Sequence, residues 1–549
     1  METTQDSSLP KITLQEVKQP ETAQGTTEAD FLVTILLEKG IELIIDQFGQ
    51  PSLVDPGNPL MIRKINSKFI KQYLARVYWE AKKTAIGSET ISKAATTLQG
   101  IAFYKNIRKT VYNRVAQLGN NIFYDVGDDK HIVKITPDNW EVKTTSPVHF
   151  RRFSHQRSQV LPQKGGDLKN INKYFNISEK NQEILLTTYL PTCLLANIAR
   201  PLLLLHGPQG SGKSMALELI RLLIDPSITP LLTTSAEEKE LIQQADHHYC
   251  YFLDNVSKIN DSLSDNLCKL VTGGAFSKRE LYTDDEDILY CFKRVTGFNG
   301  VAQFANKPDL LDRSIILQFE RISNANRKRE EELRQDFEKE LPLLIGSLFD
   351  SVSNMLKIAP TIKLSKYPRM ADYYLHAMAV SEFLGYGRSC FEKAYDANID
   401  QQNLQAIEAS VVSQTIIQFM EKHNDWTGNS TQLFSYLQNI AVTQRVEKGF
   451  PKNANWLWRK IQEAQATLNS VGIKATRDRN SSGRQINLSK NNPFDAVIAD
   501  NTVKSSLEKV LPSQNDDSKV SNVTKEDPCA NLVEKVNEIM RGEKHEAKQ

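Results

Sequence analysis

The residues best suited to chemistry form a glycine-rich segment near the middle of the chain. The segment from Pro201 to Asp225 contains the pattern G-x-x-x-x-G-K-[ST], which ends in Lys213 and Ser214. Glycines let the backbone curl so that its N–H groups surround phosphate oxygens, and the N-terminus of a following helix adds partial positive charge. The lysine would reach the β- and γ-phosphates, and the serine hydroxyl would bind Mg²⁺. The predicted nucleotide-binding residues are Gly207, Pro208, Gln209, Gly210, Ser211, Gly212, Lys213, Ser214 and Met215.

The elements around this segment match what such a loop needs. The apolar run from Leu202 to Leu205 predicts a buried strand, and apolar residues at helical spacing after Ser214 predict a helix. Strand, glycine turn and helix are the context that distinguishes a phosphate-binding loop from a chance match. The sequence therefore predicts binding of ATP or GTP, with ATP and Mg²⁺ as the expected cofactors.

Two further strands are predicted to end in polar residues at the same site. The apolar run from Tyr249 to Leu253 leads into Asp254, which would hold the Mg²⁺ through water together with Ser214. A later strand, from Lys293, ends in Asn299. The carboxyl ends of strands in an open parallel sheet face the ligand crevice. We therefore expect Asn299 to orient the attacking water.

An arginine after the segment P-D-L-L-D is the remaining candidate for catalysis. Arg313 precedes an apolar strand and would reach the nucleotide of a neighbouring subunit, where it would stabilise transition-state charge. The alternative is a local ion pair with Asp309 or Asp312, although the spacing favours the first role. Arg369 is a candidate second contact to phosphate, and a salt bridge with Asp372 is its alternative.

The order of these motifs resembles the core of the AAA+ ATPases. It resembles more closely the superfamily 3 helicase-like ATPases of phages, plasmids and integrated elements. The segments L-D-N-V-S, L-V-T-G-G-A-F-S-K-R-E-L-Y-T-D-D-E-D and P-D-L-L-D-R-S carry this resemblance, which extends over residues 31–488. The resemblance implies a P-loop α/β core with a parallel sheet. It also implies a ring-like homo-oligomer, such as a hexamer, that acts on DNA.

Asn255 departs from the pattern of that family. Many AAA+ proteins follow the aspartate with a glutamate that activates water, and an amide nitrogen cannot accept a proton as a carboxylate does. One alternative is that another carboxylate serves, namely Asp261, Asp265 or one of residues 284–287. The other is that Asn255 only positions the water and hydrolysis is slow.

A basic and aromatic segment follows the aspartate strand. Lys278 and Arg279 lie beside Phe276 and Tyr282. In superfamily 3 motors, which this chain resembles, such a hairpin lies in the central pore, where cations follow the phosphates and an aromatic ring stacks on a base. A turn at a subunit interface is an equal alternative.

The region from 426 to 490 resembles a winged-helix module, with two helices followed by two strands. From Ala441 to Lys490 there are ten basic residues and three acidic ones, which is typical of a phosphate-contacting surface. Trp456 and Leu457 are expected to pack inside, and a solvated charged face is the alternative reading of this region. The predicted DNA contacts are Lys452, Arg459 and Lys460 on a helix, and Arg477, Arg479 and Arg484 on the wing.

The overall composition fits a soluble chain of several domains. Of 549 residues, 40% are hydrophobic and 24% are charged, and the net charge of +2 requires any nucleic-acid surface to be local. Six cysteines without C-x-x-C pairs disfavour disulfides and zinc, so a cytoplasmic location is expected. No apolar run approaches the length of a membrane span, so none is expected.

The predicted domain boundaries follow changes in composition. The basic run at Arg151, Arg152, His155 and Arg157 is predicted to be a solvated linker, and the alternative is a surface near nucleic acid or another subunit. The predicted units are a disordered segment 1–29, a small α/β domain 30–165, the ATPase core 166–322, a helical lid 323–425, the winged-helix-like module 426–490 and a flexible tail 491–549.

These patterns predict an ATP-dependent DNA helicase or DNA-remodelling motor in the replication of a mobile genetic element. The alternative is a DNA-binding regulator that is switched by nucleotide and has weak or no unwinding activity. A small-molecule kinase is less consistent with the basic C-terminal module.

Overall fold

A computed structural model describes most of the chain between residues 27 and 490. The predictions for residues 1–26, for Tyr282, for the acidic residues 284–286 and for the tail 491–549 lie outside the described residues. The described ranges are 27–235, 237–257, 259–279, 287–291, 293–300, 308–323, 327, 329–365, 367–443, 446, 450–480 and 483–490.

The N-terminal region contains two sheets and three helices. The first sheet has the order β1-β2-β3-β9-β4, and the second is an antiparallel meander of β5 to β8. The elements are α1 Glu28–Glu38, β1 Glu42–Ile45, β2 Pro51–Asp55, β3 Asn58–Lys64, α2 Lys68–Lys82, α3 Ser88–Lys105, β4 Val111–Tyr112, β5 Val115–Leu118, β6 Asn121–Asp125, β7 Ile132–Ile135, β8 Trp140–Lys143 and β9 His149–Arg151.

The two sheets share one small hydrophobic cluster, in which Phe123 and Ile132 of the meander pack with Phe150 of β9, and each sheet also contributes to a larger core. The three helices bury Leu36, Leu74 and Leu98 in a core of their own, together with residues of the first sheet. The meander instead packs Tyr124 and Trp140 into the core of the central domain. The meander therefore lies between the first sheet and the central domain and packs on both.

The first two residues of the basic run, Arg151 and Arg152, are held in ion pairs, so the prediction of a solvated linker is wrong for them, whereas Arg157 is exposed. Arg151 pairs with Asp246 at 2.5 Å, and Arg152 pairs with Asp125 at 2.5 Å. His155 stacks on His248 with ring centres 3.8 Å apart. The segment thus attaches the N-terminal region to the central domain through buried polar contacts.

The central domain is built around a four-stranded parallel sheet with the order β11-β14-β10-β15. Its strands are buried almost throughout, as expected for a parallel sheet covered on both faces. Leu232 adds a single parallel bridge to Leu253 at the edge of this sheet. The elements are β10 Leu202–His206, α5 Lys213–Ile224, α6 Glu238–His247, β11 Cys250–Leu253, α7 Asp261–Thr272, β12 Ala275–Arg279, β13 Asp287–Cys291, β14 Val295–Gly300, α8 Pro308–Leu311 and β15 Ser314–Gln318.

Long helices cover this sheet. The stretch Glu330–Thr361 is long and apolar enough to cross a membrane, but 67% of its apolar window is buried inside the protein, as in the core helix of a soluble fold. Two short 3₁₀ helices, Leu168–Tyr174 and Ala359–Thr361, accompany the longer ones. The covering helices are α4 Lys180–Thr192, α9 Glu330–Ile358, α10 Ala371–Phe383 and α11 Arg388–Ala409.

The C-terminal unit has its own core and a three-stranded antiparallel sheet with the order β16-β18-β17. Ile416 and Met420 of α12 are buried in this core, so the unit begins with α12 and not at 426 as expected. Leu457 is buried, but Trp456 is 52% exposed, so the prediction that it packs inside is wrong. The elements are α12 Val411–Glu421, β16 Asp425–Asn429, α13 Ser430–Thr443, α14 Ala454–Glu463, α15 Gln465–Ser470, β17 Ile473–Asn480 and β18 Gly483–Lys490.

Candidate functional site

The glycine loop lies between β10 and α5, at the carboxyl edge of the parallel sheet. Gly212 has a φ of 87°, a conformation that other residues rarely adopt. At Gly207 a Cβ atom would lie 2.2 Å from the carbonyl oxygen of Phe319, which leaves no room for a side chain. The glycines thus allow a tight loop whose far end is the N-terminus of a helix.

The Lys213 side chain is folded into this loop. Its Nζ donates hydrogen bonds to the carbonyl oxygens of Gly207 at 2.8 Å and Pro208 at 2.7 Å, and to Ser211 Oγ at 3.1 Å. Burial lowers the pKa of Lys213, while the negative charge of Asp254 opposes that shift. The ammonium group therefore lies where the loop curls, close to a carboxylate.

Three side chains from separate elements meet beside the loop. Ser214 Oγ donates to Asp254 Oδ1 at 2.8 Å. Asn299 Nδ2 lies 3.2 Å from Ser214 Oγ and donates to Asp254 Oδ1 at 2.7 Å. The strand order brings them together, because β14, which carries Asn299, lies between β10 and β11. The structure thus brings together four residues that the sequence assigned to one site: Lys213, Ser214, Asp254 and Asn299.

Asn255 has a left-handed backbone with a φ of 50°. Its backbone N–H donates to Asn299 Oδ1 at 2.7 Å, and its side chain is exposed. Asp261 and Asp265, two candidates for water activation, lie on α7. The chain therefore turns sharply at the end of β11, and Asn299 fixes that turn.

Arg313 forms the local ion pair that was its alternative role. It pairs with Asp309, donates from Nη1 to the Asp309 carbonyl oxygen at 3.0 Å and has an 18% exposed side chain. Arg369 pairs with both Asp309 and Asp312, and not with Asp372, the partner named as the alternative to a phosphate contact. Burial raises the pKa of Asp309, but hydrogen bonds from the two arginines bring it below its ordinary value.

One basic residue near the loop escaped sequence analysis. Arg327 Nη2 lies 3.5 Å from the position that a Cβ of Gly210 would take. The residue belongs to a charged segment after β15 that has no motif, so no local pattern indicated its proximity. No local pattern indicated Ile322 either, whose Cδ1 lies 3.5 Å from the position that a Cβ of Gly212 would take.

This arrangement suits a ligand that bears phosphate. Backbone N–H groups at a helix N-terminus, a buried ammonium, a hydroxyl and a carboxylate are the groups that hold a nucleotide and its cation. The parts of the chain that the structure describes contain no group of three or more His, Cys, Asp or Glu residues able to hold a metal ion. A Mg²⁺ ion here would therefore depend on Ser214, Asp254, ligand oxygens and water, as Mg²⁺ commonly does.

A second candidate surface lies on the C-terminal unit. Arg459 and Lys460 are exposed on α14, whereas Lys452, which was predicted to lie on the same helix, is exposed just before it. Arg479 and Arg484 are exposed on the β17–β18 hairpin, where they lie opposite each other. The Arg459 guanidinium lies 5.6 Å from the Trp456 ring centre. Glu463 partly neutralises the surface through Arg459 at 3.4 Å and Lys460 at 2.5 Å.

Other predicted DNA contacts differ in their setting. Arg477 is half-buried and lies with its guanidinium carbon 5.6 Å from the Trp458 ring centre. Lys278 and Arg279 belong to β12, which forms an antiparallel hairpin with β13. The surroundings of their side chains lie outside the described part of the chain.

The fold and this site define an α/β protein with a parallel sheet and a glycine loop at its carboxyl edge. Residues 168–403 match the family model of the actinomycete integrative conjugative element replication protein. Residues 412–505 match the model of the AICE RepA C-terminal domain. These matches agree with the expectation of a mobile-element protein and support a role in replication.

Comparisons with other proteins add little to this assignment. No curated protein matches the chain. The apo structure of the NrS-1 C-terminal region in its A form is 12% identical with a TM-score of 0.39, covering 84% of this chain and 98% of that one. A structure of JCV helicase with a bound small molecule is 13% identical with a TM-score of 0.23, covering 40% of this chain and 64% of that one. Similarities this weak carry no functional argument.

Proposed function

We propose that this protein is a Mg²⁺-dependent ATPase that unwinds or remodels DNA during replication of a mobile element. The observation that carries the proposal is the convergence of Lys213, Ser214, Asp254 and Asn299 beside the glycine loop. The family matches support replication as the setting. A cytoplasmic location is part of the same proposal.

Each residue of the cluster has a chemical role in this proposal. Backbone N–H groups of the loop would bind phosphate oxygens, and Lys213 would leave its loop carbonyls to contact the terminal phosphates. Ser214 and Asp254 would hold Mg²⁺, which neutralises phosphate charge when bound. Asn299 already donates to Asp254, and its amide would orient the attacking water.

Arg313 is proposed to act across a subunit interface. In the single chain its charge is held by Asp309, which also pairs with Arg369. In an assembled ring, Arg313 would leave the exposed carboxylate of Asp309 and would contact the phosphates of the nucleotide bound to the neighbouring subunit. Because a guanidinium can stabilise transition-state charge strongly, its release from Asp309 would couple assembly to hydrolysis.

DNA would bind to the C-terminal unit in this proposal. Helices followed by the β17–β18 hairpin are the element order expected of a winged-helix module, and α14 presents exposed cations, which supports this part of the proposal. Trp456 and Arg459 would then lie at the DNA surface, and Lys278 and Arg279 would contact a strand in the centre of the ring.

The test compares Lys213→Ala with Lys393→Ala, which removes an exposed lysine of α11. We expect Lys213→Ala to abolish ATP hydrolysis and Lys393→Ala to retain it, with both variants keeping the wild-type unfolding midpoint. Steady-state phosphate release with and without DNA is the measurement. Full turnover by folded Lys213→Ala would refute the proposed nucleotide site.

A nucleotide-switched DNA-binding regulator is the second candidate, and Asn255 favours it because the residue cannot act as a general base. A strand-displacement assay on forked DNA separates the two candidates. ATP-dependent unwinding by the wild-type chain supports the motor. Binding to one duplex sequence that changes with ATP, without unwinding, supports the regulator.

A further inference from the structure

The most basic part of this nearly neutral chain is the unit from position 60 to 110, which contains α2 and α3. Between positions 60 and 110 there are eleven lysines and arginines and only two acidic residues, whereas the whole chain has a net charge of +2. The two acidic residues are already engaged, because Glu80 pairs with Arg76 and Glu89 pairs with Lys93. A local excess of positive charge therefore remains on this unit.

Helix α2 concentrates that charge on one face. At 100° per residue, positions 68, 71, 75, 79 and 82 fall on one stripe, while the buried residues Ile70, Leu74 and Val77 face the core. We call this set the α2 stripe; its members are Lys68, Lys71, Ala75, Trp79 and Lys82. In the described part of the chain, Lys68 and Lys71 are exposed and form no salt bridge.

A large aromatic ring lies in the C-terminal part of the stripe, between Lys71 and Lys82. Trp79 is 52% exposed, although its size would favour burial. The end of α3 repeats this composition, with Phe103 at 55% and Tyr104 at 92% exposed beside Lys105. Cations arranged along a face with exposed rings between them are the combination that binds unpaired nucleic-acid strands, because phosphates follow the cations and bases stack on the rings.

We propose that the α2 stripe is a binding site for single-stranded DNA, separate from the glycine loop and from the C-terminal unit. The stripe spans about 21 Å along the helix, enough for a few nucleotides of an extended strand. A duplex would offer phosphates but no free base faces to Trp79. A membrane surface fits less well, because Trp79 is the one large apolar side chain of the stripe and the other apolar residues of α2 are buried or half-buried.

The test measures binding of the full-length chain to a labelled oligothymidylate without nucleotide, on the Lys213→Ala background. Loss of ATP hydrolysis therefore cannot affect the result, and failure here leaves the proposed ATPase function intact. The stripe variant is Lys68→Gln/Lys71→Gln. The matched control is Lys357→Gln/Lys393→Gln, which neutralises two exposed lysines on α9 and α11.

The stripe variant should bind more weakly, and the slope of log K against log salt should become shallower by about 1.4, since each lost phosphate contact removes about 0.7 on a single strand. The control variant should keep the wild-type slope. Equal slopes for the two variants would overturn the proposal. Unfolding midpoints measured for both show that the comparison concerns folded protein.

Stacking is tested separately with Trp79→Ala and Trp79→Phe. Trp79→Ala should weaken binding roughly fivefold to a hundredfold without changing the salt slope, and Trp79→Phe should restore most of the affinity. Unchanged affinity in Trp79→Ala overturns the proposal. The proposal is also overturned if Trp79→Ala loses as much affinity for blunt duplex DNA as for oligothymidylate. It is overturned as well if the α2 stripe binds a protein partner and its substitution leaves oligothymidylate binding unchanged.

Discussion

At the residue scale, the backbone conformation explains why an asparagine follows Asp254. With a φ of 50°, position 255 lies in the left-handed region, where asparagine and glycine are favoured and other residues are strained. Its N–H is held by Asn299 Oδ1 at 2.7 Å, which links the turn to the site. Asn255 is therefore a positioning residue in the proposed ATPase.

This conformation predicts the outcome of substitutions at position 255. Asn255→Gly should keep the stability and the ATP hydrolysis of the wild-type chain, because glycine accepts the same turn. Asn255→Glu should lose about 1 kcal/mol of unfolding free energy and should not hydrolyse faster. Urea unfolding and phosphate release measure the two effects. A large gain in turnover with glutamate would show that the missing carboxylate, and not the turn, limits the wild-type chain.

At the element scale, a buried polar network joins α5 to β11. Asp225, just after α5, accepts from Arg114 Nε at 2.9 Å and from the Cys250 N–H at 3.2 Å. Arg221 also donates to the Cys250 carbonyl oxygen. Burial alone would raise the pKa of Asp225, but the charges of Arg221 and Arg114 bring it down to about 2. The network thus joins the C-terminal end of α5 to the N-terminal end of β11. Lys213 and Asp254 lie at the other ends of these two elements.

His248 makes this network sensitive to acid. Arg221 Nη2 lies 2.9 Å from His248 Nδ1, which must accept because a guanidinium only donates. Burial first and the Arg221 charge second lower the pKa of His248 to about 3. The same causes lower the pKa of half-buried His155 to about 4.

The sign of the resulting pH dependence follows from these shifts. A histidine whose pKa is lower in the folded chain stabilises the fold fully above its unfolded pKa of about 6.5, and that stability is lost as the pH falls. At pH 5 His248 alone should remove roughly 2 kcal/mol of unfolding free energy relative to neutral pH. Asp225 does not contribute in this window, because its carboxyl titrates at lower pH in both states.

The measurement is urea unfolding at pH 7.5 and pH 5 for the wild-type chain and for His248→Gln. The glutamine can accept from Arg221 but does not titrate, so the difference between the two pH values should shrink. An identical pH dependence in both proteins would mean that other groups control acid stability.

At the scale of the whole molecule, the proposed site is complete only when two copies meet. Lys213→Ala and Arg313→Ala should each lack ATP hydrolysis when assayed alone. Mixed in equal amounts, they should recover about a quarter of the wild-type rate, because random assembly into a head-to-tail ring pairs an intact loop with an intact arginine at that fraction of interfaces.

The mixing experiment also has a clear contrary outcome. If Arg313 acts within its own chain, where it pairs with Asp309, no subunit in the mixture has both groups and the rate stays at zero. Sedimentation of the mixture at the assay concentration controls for a failure to assemble. An assembled but inactive mixture would rule out the role of Arg313 across the interface.

Local patterns determined the parallel sheet and the location of the candidate site. Leu202–Leu205, the glycines and the helix after Ser214 are adjacent in the chain, so their spacing alone indicated a strand, a loop and a helix. Asp254 and Asn299 could be placed beside them because parallel strands end at the same edge of a sheet.

Only the tertiary structure decided which charges are paired and which surfaces are free. Arg151 and Arg152 resembled a solvated linker, but carboxylates far away in the chain hold them in buried pairs. Trp456 and buried Leu457 are adjacent and point about 100° apart on the helix, so the way the helix packs decides which of them is exposed. Asp309 is shared by Arg313 and Arg369, which are distant in sequence. Such pairings depend on how separate elements pack, and no local spacing in the sequence records that packing.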